Sequence, residues 1–131
     1  MTVTKKIIAM AGKAKQASRK LALVATADKN KALLKMAKAL LAHKDFLLKE
    51  NKKDITAAGR KSYPAALVDR LKIDEKRLQG MVGCLRDTAK IADPGGEVLE
   101  TIKRPNGLVI KKVRTPIGVV GIIYESRPNV T

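Results

Sequence analysis

Six consecutive residues, Tyr124-Glu125-Ser126-Arg127-Pro128-Asn129, gather the side chains best suited to act on a ligand. Arg127 carries a planar fork of donors that matches phosphate or carboxylate. The amide N–H₂ of Asn129 is able to support an oxyanion that develops during a reaction. Just before them runs Gly118-Val119-Val120-Gly121-Ile122-Ile123-Tyr124, apolar without alternation, the pattern of a strand buried on both faces of a mostly parallel sheet. Open α/β sheets bind ligands in the loops beyond the carboxyl ends of such strands. The plainer alternative is a polar loop leading into a helix, with Ser126 or Asn129 acting only as its cap.

Other reactive groups lack company. Cys84 is the single cysteine and lies within a helical stretch between Gly83 and Leu85, while His43 belongs to a different helix. With no base beside it, the thiol reads as a small buried filler and not as a nucleophile. His43 reads as a surface or boundary residue. No His/Cys pair stands at ligand spacing, so no metal site is expected. Gly118 and Gly121 do not compose the G-x-G-x-x-G turn of dinucleotide-binding proteins.

Basic residues are the remaining candidate. Lys and Arg number 28 against 12 Asp and Glu, a net charge of +16, of which +12 falls within residues 1–61. A surface of this kind concentrates phosphates, nucleotides and nucleic acid. Aromatic residues are confined to Phe46, Tyr63 and Tyr124, and no helix-turn-helix, zinc or RNP pattern is visible. The lysines spread over three helices instead of forming one stripe, so solvated faces are the expectation.

These side chains need a frame. Residues 5–25 set Ile7, Ile8, Ala11, Ala14, Leu21 and Ala25 near helical spacing, predicting a first amphipathic helix. Thr26 as N-cap and Asp28 in the first turn open a second, with Leu33, Leu34, Ala37, Leu40 and Leu41 as its apolar stripe. A third starts near Lys44–Asp45, places Phe46, Leu47 and Ile55 on one side and stops at Gly59. Pro64 suits the first position of a short helix ending near Leu71. Asp74 begins the last helix, with Leu78, Met81, Val82, Leu85 and Ala89 inward. Gly80 and Gly83 weaken it by about 1 kcal/mol each and mark a close backbone approach. Beyond Asp93-Pro94-Gly95-Gly96 the apolar period becomes two. Residues 97–104 and 108–115 form a hairpin around Pro105-Asn106-Gly107, with Asn106 and Gly107 supplying positive φ. Pro116 ends its second strand.

The totals set outer bounds. At 131 residues, 45% of them apolar, the chain suffices for one domain with its own core, built from Leu, Ile, Val, Ala and Met. A single cysteine excludes an intramolecular disulfide and suits a reducing compartment. No apolar run reaches the roughly 18–20 residues of a membrane span. Lys13 and Lys15 interrupt any secretory core, so an amphipathic helix in the cytoplasm is expected in place of a signal or transit peptide.

Three blocks, KNKALLKMAKAL (29–40), LVDRLKIDEKRL (67–78) and DPGGEVLETIKRPNGLVIKKVRTPIGVVGIIYESRPNVT (93–131), resemble in order and spacing the amino-terminal part of the γ-glutamyl phosphate reductases (glutamate-5-semialdehyde dehydrogenases) of the aldehyde dehydrogenase superfamily. The likeness covers nearly the whole chain and is most specific over its last forty residues. It implies an α/β fold of the aldehyde-dehydrogenase type. In that fold residues 1–93 are the helical amino-terminal part of the cofactor-binding domain, 94–116 a bridging hairpin, and 117–131 the first cofactor-domain strand with its ligand loop.

The implied activity is reduction of L-glutamyl 5-phosphate by NADPH to L-glutamate 5-semialdehyde, with release of phosphate, in proline biosynthesis. A cysteine thiolate attacks the acyl carbon in this superfamily, and the resulting thioester accepts the hydride. That cysteine lies in a separate domain further along the chain; Cys84 does not match it, so these 131 residues alone are expected to be inactive. By the same resemblance, Tyr124, Glu125 and Ser126 line the cleft at the nicotinamide end of the cofactor. Arg127 and Asn129 face the acyl phosphate or the oxyanion, and the hairpin is a candidate surface for homo-oligomers. The basic excess is not a feature the resemblance implies, beyond solubility or steering of anionic ligands. Two other classes compete: a small basic module that binds nucleic acid or other anions, and a non-catalytic partner that adds its strands to another chain's sheet.

Overall fold

A computed structural model describes residues 2–130. Among them, helices α1 (Val3–Leu21), α2 (Thr26–Ala42), α3 (Lys44–Arg60), α4 (Ala65–Leu71) and α5 (Glu75–Thr88) precede an antiparallel pair, β1 (Val98–Lys103) and β2 (Val109–Val113). This is the expected α/β class. No helix of the described residues is long and apolar enough to cross a membrane. The chain divides into two compact units, one joining α1 to Ala92–Gly121 and the other joining Ala27–Ile91 to the stretch from Ile122 onward.

The core of the second unit is small. Ala37 of α2 and Ala58 of α3 are buried, and Leu78 and Val82 of α5 are buried completely. Leu33, Leu40, Leu47, Leu48, Ile55, Met81 and Leu85 are half-buried. Phe46 does not join Leu47 and Ile55 as the sequence suggested; it is 61% exposed. Nine helical residues turn the chain through two and a half revolutions, so Phe46 and Ile55 must point to opposite sides.

The connection from α4 to α5 is held down by polar contacts. Asn51, only 6% exposed, donates from Nδ2 to the carbonyl of Leu71 at 2.8 Å and accepts at Oδ1 from the N–H of Ile73 at 2.7 Å. The Arg77 guanidinium donates to both carboxylate oxygens of Asp69, at 2.8 and 2.9 Å, and to the carbonyls of Asp69 and Lys72. Asp74 is the N-cap itself, one residue ahead of the helix, and accepts from the Arg77 N–H at 2.8 Å. That bond, assisted by the neighbouring charge of Lys72, holds the Asp74 carboxyl below its ordinary value. Lys44 reaches Glu75 at 2.9 Å, tying α3 to the start of α5, and the bond raises the lysine above its usual value.

Several boundaries depart from expectation for local reasons. Gly59 does not stop α3; the helix continues to Arg60 and closes in a Schellman turn. The N–H of Tyr63 donates to Ala58 and that of Ser62 to Gly59, with Ser62 taking the left-handed conformation (φ +52°). Thr26 is the first residue of α2 and not its cap, and its hydroxyl donates to the Asp93 carboxylate at 3.0 Å. Pro64 stands just outside α4 at its N-cap. Gly80 and Gly83 mark no close approach, since a Cβ at either would meet nothing within 4 Å.

In the first unit, Thr2 caps α1 by accepting from Lys5, but none of the helix's residues is buried. Ile7 and Ile8, expected on an inner face, are exposed, and only Ala14 and Ser18 are half-covered. The hairpin forms where expected. The Arg104 carbonyl accepts from Gly107, and the Arg104 N–H donates to Leu108, each at 2.9 Å. Pro105 and Asn106 fill a turn that Gly107 (φ +83°) exits left-handed, so only the glycine supplies positive φ. Asn106 contributes through its side chain, accepting from the Leu108 N–H at 3.1 Å. At the open end Arg114 pairs with Glu97 at 2.9 Å.

Residues 118–124 do not form the buried strand that their composition suggested. Ile117 and Ile123 are 91% and 103% exposed, and no ladder includes the segment. A strand apolar on both faces needs neighbours on both edges and cover on both sides. Among the described residues the only ladder is the hairpin, which supplies neither, and Gly118 (φ +98°) turns the chain out of the extended conformation.

Two substitutions probe this frame. Asn51→Ala strands the Leu71 carbonyl and the Ile73 N–H and is expected to destabilise the fold by about 1–3 kcal/mol in urea titration. Gly80→Ala has open space for its methyl group and is expected to stabilise by up to about 1 kcal/mol in the same measurement.

Candidate functional site

The stretch from Ile122 to Val130 belongs to the second unit and is shaped by two backbone features. Ser126 takes the left-handed conformation (φ +52°), redirecting the chain between Glu125 and Arg127. The Arg127 carbonyl then accepts from the Val130 N–H at 3.0 Å, closing a turn over Pro128 and Asn129. Proline at the second position of such a turn has its φ already set. Arg127 and Asn129, on either side of half-buried Pro128, are both exposed.

Burial separates the six residues. Ser126 and Pro128 are half-buried and anchor the turn, whereas Glu125, Arg127 and Asn129 are exposed and Tyr124 is 45% exposed. Among the described residues, Arg127 and Glu125 have no ion pair, and the side chains of Ser126 and Asn129 cap no helix. A guanidinium fork and a side-chain amide, two residues apart in sequence, are thus both exposed to solvent. Thr131 lies outside the described residues.

The left-handed Ser126 is the feature that sequence reading missed. Serine at positive φ is uncommon, and the residue type alone would never single it out from other loop serines. The half-buried flank and the turn that follows over-determine its backbone, as such strained positions require.

Elsewhere the candidates change standing. Cys84 is exposed and is therefore no core filler. On α5 the buried Leu78 and Val82 define the inner side, and position 84 falls well round the helix from both. No base accompanies the thiol, so exposure alone does not make it a nucleophile. His43 is exposed, as expected, at the junction of α2 and α3. Among the described residues no group of three His, Cys, Asp or Glu side chains is placed to hold a metal ion.

No family profile matches the chain. Individual proteins do. A gamma-glutamyl phosphate reductase of Caldanaerobacter subterraneus subsp. tengcongensis is 55% identical over 121 residues, which cover 92% of this chain and 29% of that protein. Another from Geobacter sp. (strain M21) is 47% identical over 131 residues, all of this chain and 31% of the relative. The crystal structure of gamma-glutamyl phosphate reductase from Thermotoga maritima matches with a TM-score of 0.90 at 39% identity, covering 94% of this chain and 30% of that one. Its counterpart from Saccharomyces cerevisiae gives 0.89 at 28% identity, covering 99% and 32%. The chain therefore spans about three tenths of the length of the proteins it resembles.

Because Arg127 and Asn129 hold nothing in place here, Arg127→Ala and Asn129→Ala are each expected to change folding stability by no more than about 0.5 kcal/mol. Urea titration of both variants checks this; a larger loss would mark the pair as structural.

Proposed function

Since the chain belongs to the gamma-glutamyl phosphate reductase family, we propose that it forms part of an enzyme that reduces L-glutamyl 5-phosphate to L-glutamate 5-semialdehyde and releases phosphate, a step of proline biosynthesis in the cytoplasm. The observation that carries the proposal is the 55% identity along 92% of the chain. It is supported by the open donors of Arg127 and Asn129 in a loop that follows an uncovered apolar segment.

On this reading residues 1–93 are the helical part of the cofactor-binding domain, 94–116 a bridging hairpin, and 117–131 a strand with its ligand loop. Residues 118–124 gain their neighbouring strands from the remainder of a protein of the relatives' length. The hairpin is the candidate contact between subunits.

The roles follow from the side-chain chemistry. Arg127 is the binding group for the acyl phosphate, because a guanidinium fork pairs two phosphate oxygens at once. Asn129 orients the carbonyl and donates to its oxygen as negative charge builds there. Tyr124, Glu125 and Ser126 form the wall against the nicotinamide, and Ser126 fixes its course through its left-handed backbone. NADPH, when bound, supplies the hydride that converts the acyl group to the aldehyde. The nucleophilic cysteine is outside these residues, since Cys84 has neither the surroundings nor the sequence context for it.

Kinetics of the complete enzyme test this directly, followed as phosphate-dependent reduction of NADP⁺ by the semialdehyde. Arg127→Ala is expected to raise KM for phosphate by about tenfold or more, and Asn129→Ala to lower kcat by about 10²-fold. Wild-type constants in both variants would remove this loop from the active site. The 131-residue chain alone is expected to show no NADPH oxidation above background; clear turnover would overturn the division of labour proposed here.

A further inference from the structure

The basic residues of α3 do form a stripe. Taking about 100° of rotation per residue, Lys49, Lys52, Lys53, Thr56 and Arg60 fall within an arc of about 100°. Asn51, Ile55 and Ala58, the residues that pack inward, lie on the opposite side. Lys49, Lys52, Lys53 and Arg60 are all exposed, and with Thr56 and Ala57 they line one shallow depression. Lys53 pairs with Glu50 at 2.6 Å, while Lys49, Lys52 and Arg60 have no ion pair among the described residues. Glu50 and Asp54 border the stripe on one flank and Asp45 stands before it. The cations extend over about 16 Å of helix.

Phe46 heads the same face, one turn before Lys49 and two before Lys53, and is 61% exposed. The two features absent from the linear reading, a single stripe and an accessible aromatic, therefore coexist on one helix. We propose that this face binds single-stranded nucleic acid, with consecutive phosphates along Lys49, Lys52, Lys53 and Arg60 and an unpaired base stacked on Phe46. Aromatic stacking favours a single strand over a duplex, whose bases are already stacked, and over an acidic peptide, which offers no such face. None of these residues belongs to the reductase loop, so this proposal and the previous one stand or fall separately.

Fluorescence anisotropy of a labelled oligouridine of about 12 nucleotides against the 131-residue chain is the test, with salt varied from about 50 to 200 mM. Binding is expected, with a log–log salt slope of about −2 to −3, as three or four neutralised phosphates require. Lys52→Glu with Arg60→Glu is expected to weaken it by at least about tenfold, whereas Lys5→Glu with Lys6→Glu on α1 changes it little. Phe46→Ala is expected to lose about fivefold or more for the oligonucleotide and nothing for inorganic polyphosphate. Circular dichroism confirms that each variant is folded. The proposal fails if there is no binding at low salt, if the α1 and α3 variants lose affinity equally, if Phe46→Ala affects both probes alike, or if polyglutamate binds as tightly as the oligonucleotide.

Discussion

A buried side-chain amide must satisfy both its donor and its acceptor, because leaving one unpaired away from water costs about 1–3 kcal/mol. Asn51 meets this requirement with two backbone groups that flank Lys72, the carbonyl of Leu71 and the N–H of Ile73. One residue of α3 thereby sets where α4 ends and where the approach to α5 begins. Asp74 and Arg77 then complete the junction, the first capping α5 and the second gripping the end of α4. With α5 placed, Leu78 and Val82 become fully buried. The consequence reaches the outer side of α3, since holding its inner side in place directs Lys49, Lys52, Lys53 and Arg60 to solvent.

In the first unit the Thr26 hydroxyl ties the end of the amino-terminal segment to Asp93, and the other contacts are local. Its hairpin is held by its own ladder and by the Arg114–Glu97 pair, and α1 by backbone bonds and its cap. Ile7, Ile8, Ile117 and Val120 remain open to water, although apolar area gains roughly 25 cal/mol for each Å² removed from it. Surfaces of this kind mark places where other polypeptide belongs. The chain spans only about 30% of the length of the relatives it matches.

Charge acts at long range on every anion that approaches the molecule. The net +16 creates a positive potential that draws anions toward the molecule whatever their final destination. An acyl phosphate, a dinucleotide and a nucleic-acid backbone share that attraction. Specificity has to come from short-range geometry instead: a guanidinium and an amide two residues apart on a turn, or an aromatic ring at the head of a cationic stripe.

Local regularities of the sequence determined the helices, the hairpin and the position of the Tyr124–Asn129 loop. Apolar spacing near 3.6 residues, capping side chains and the Pro105-Asn106-Gly107 turn each act over a few neighbouring residues, so they are legible without the rest of the chain. The likeness to the gamma-glutamyl phosphate reductases was legible for a different reason, because the pattern from Asp93 onward is too specific to be generic. Tertiary structure alone decided which apolar residues are covered. Phe46, Cys84 and the 118–124 run each had an apolar or strand-like signature, and each is exposed. Gly80 and Gly83 suggested a neighbouring backbone that is not there. The left-handed turn at Ser126 and the twin bonds of Asn51 likewise arise from groups brought together by folding. Propensity is a property of neighbours in sequence, whereas burial and hydrogen-bond partnership belong to neighbours in space.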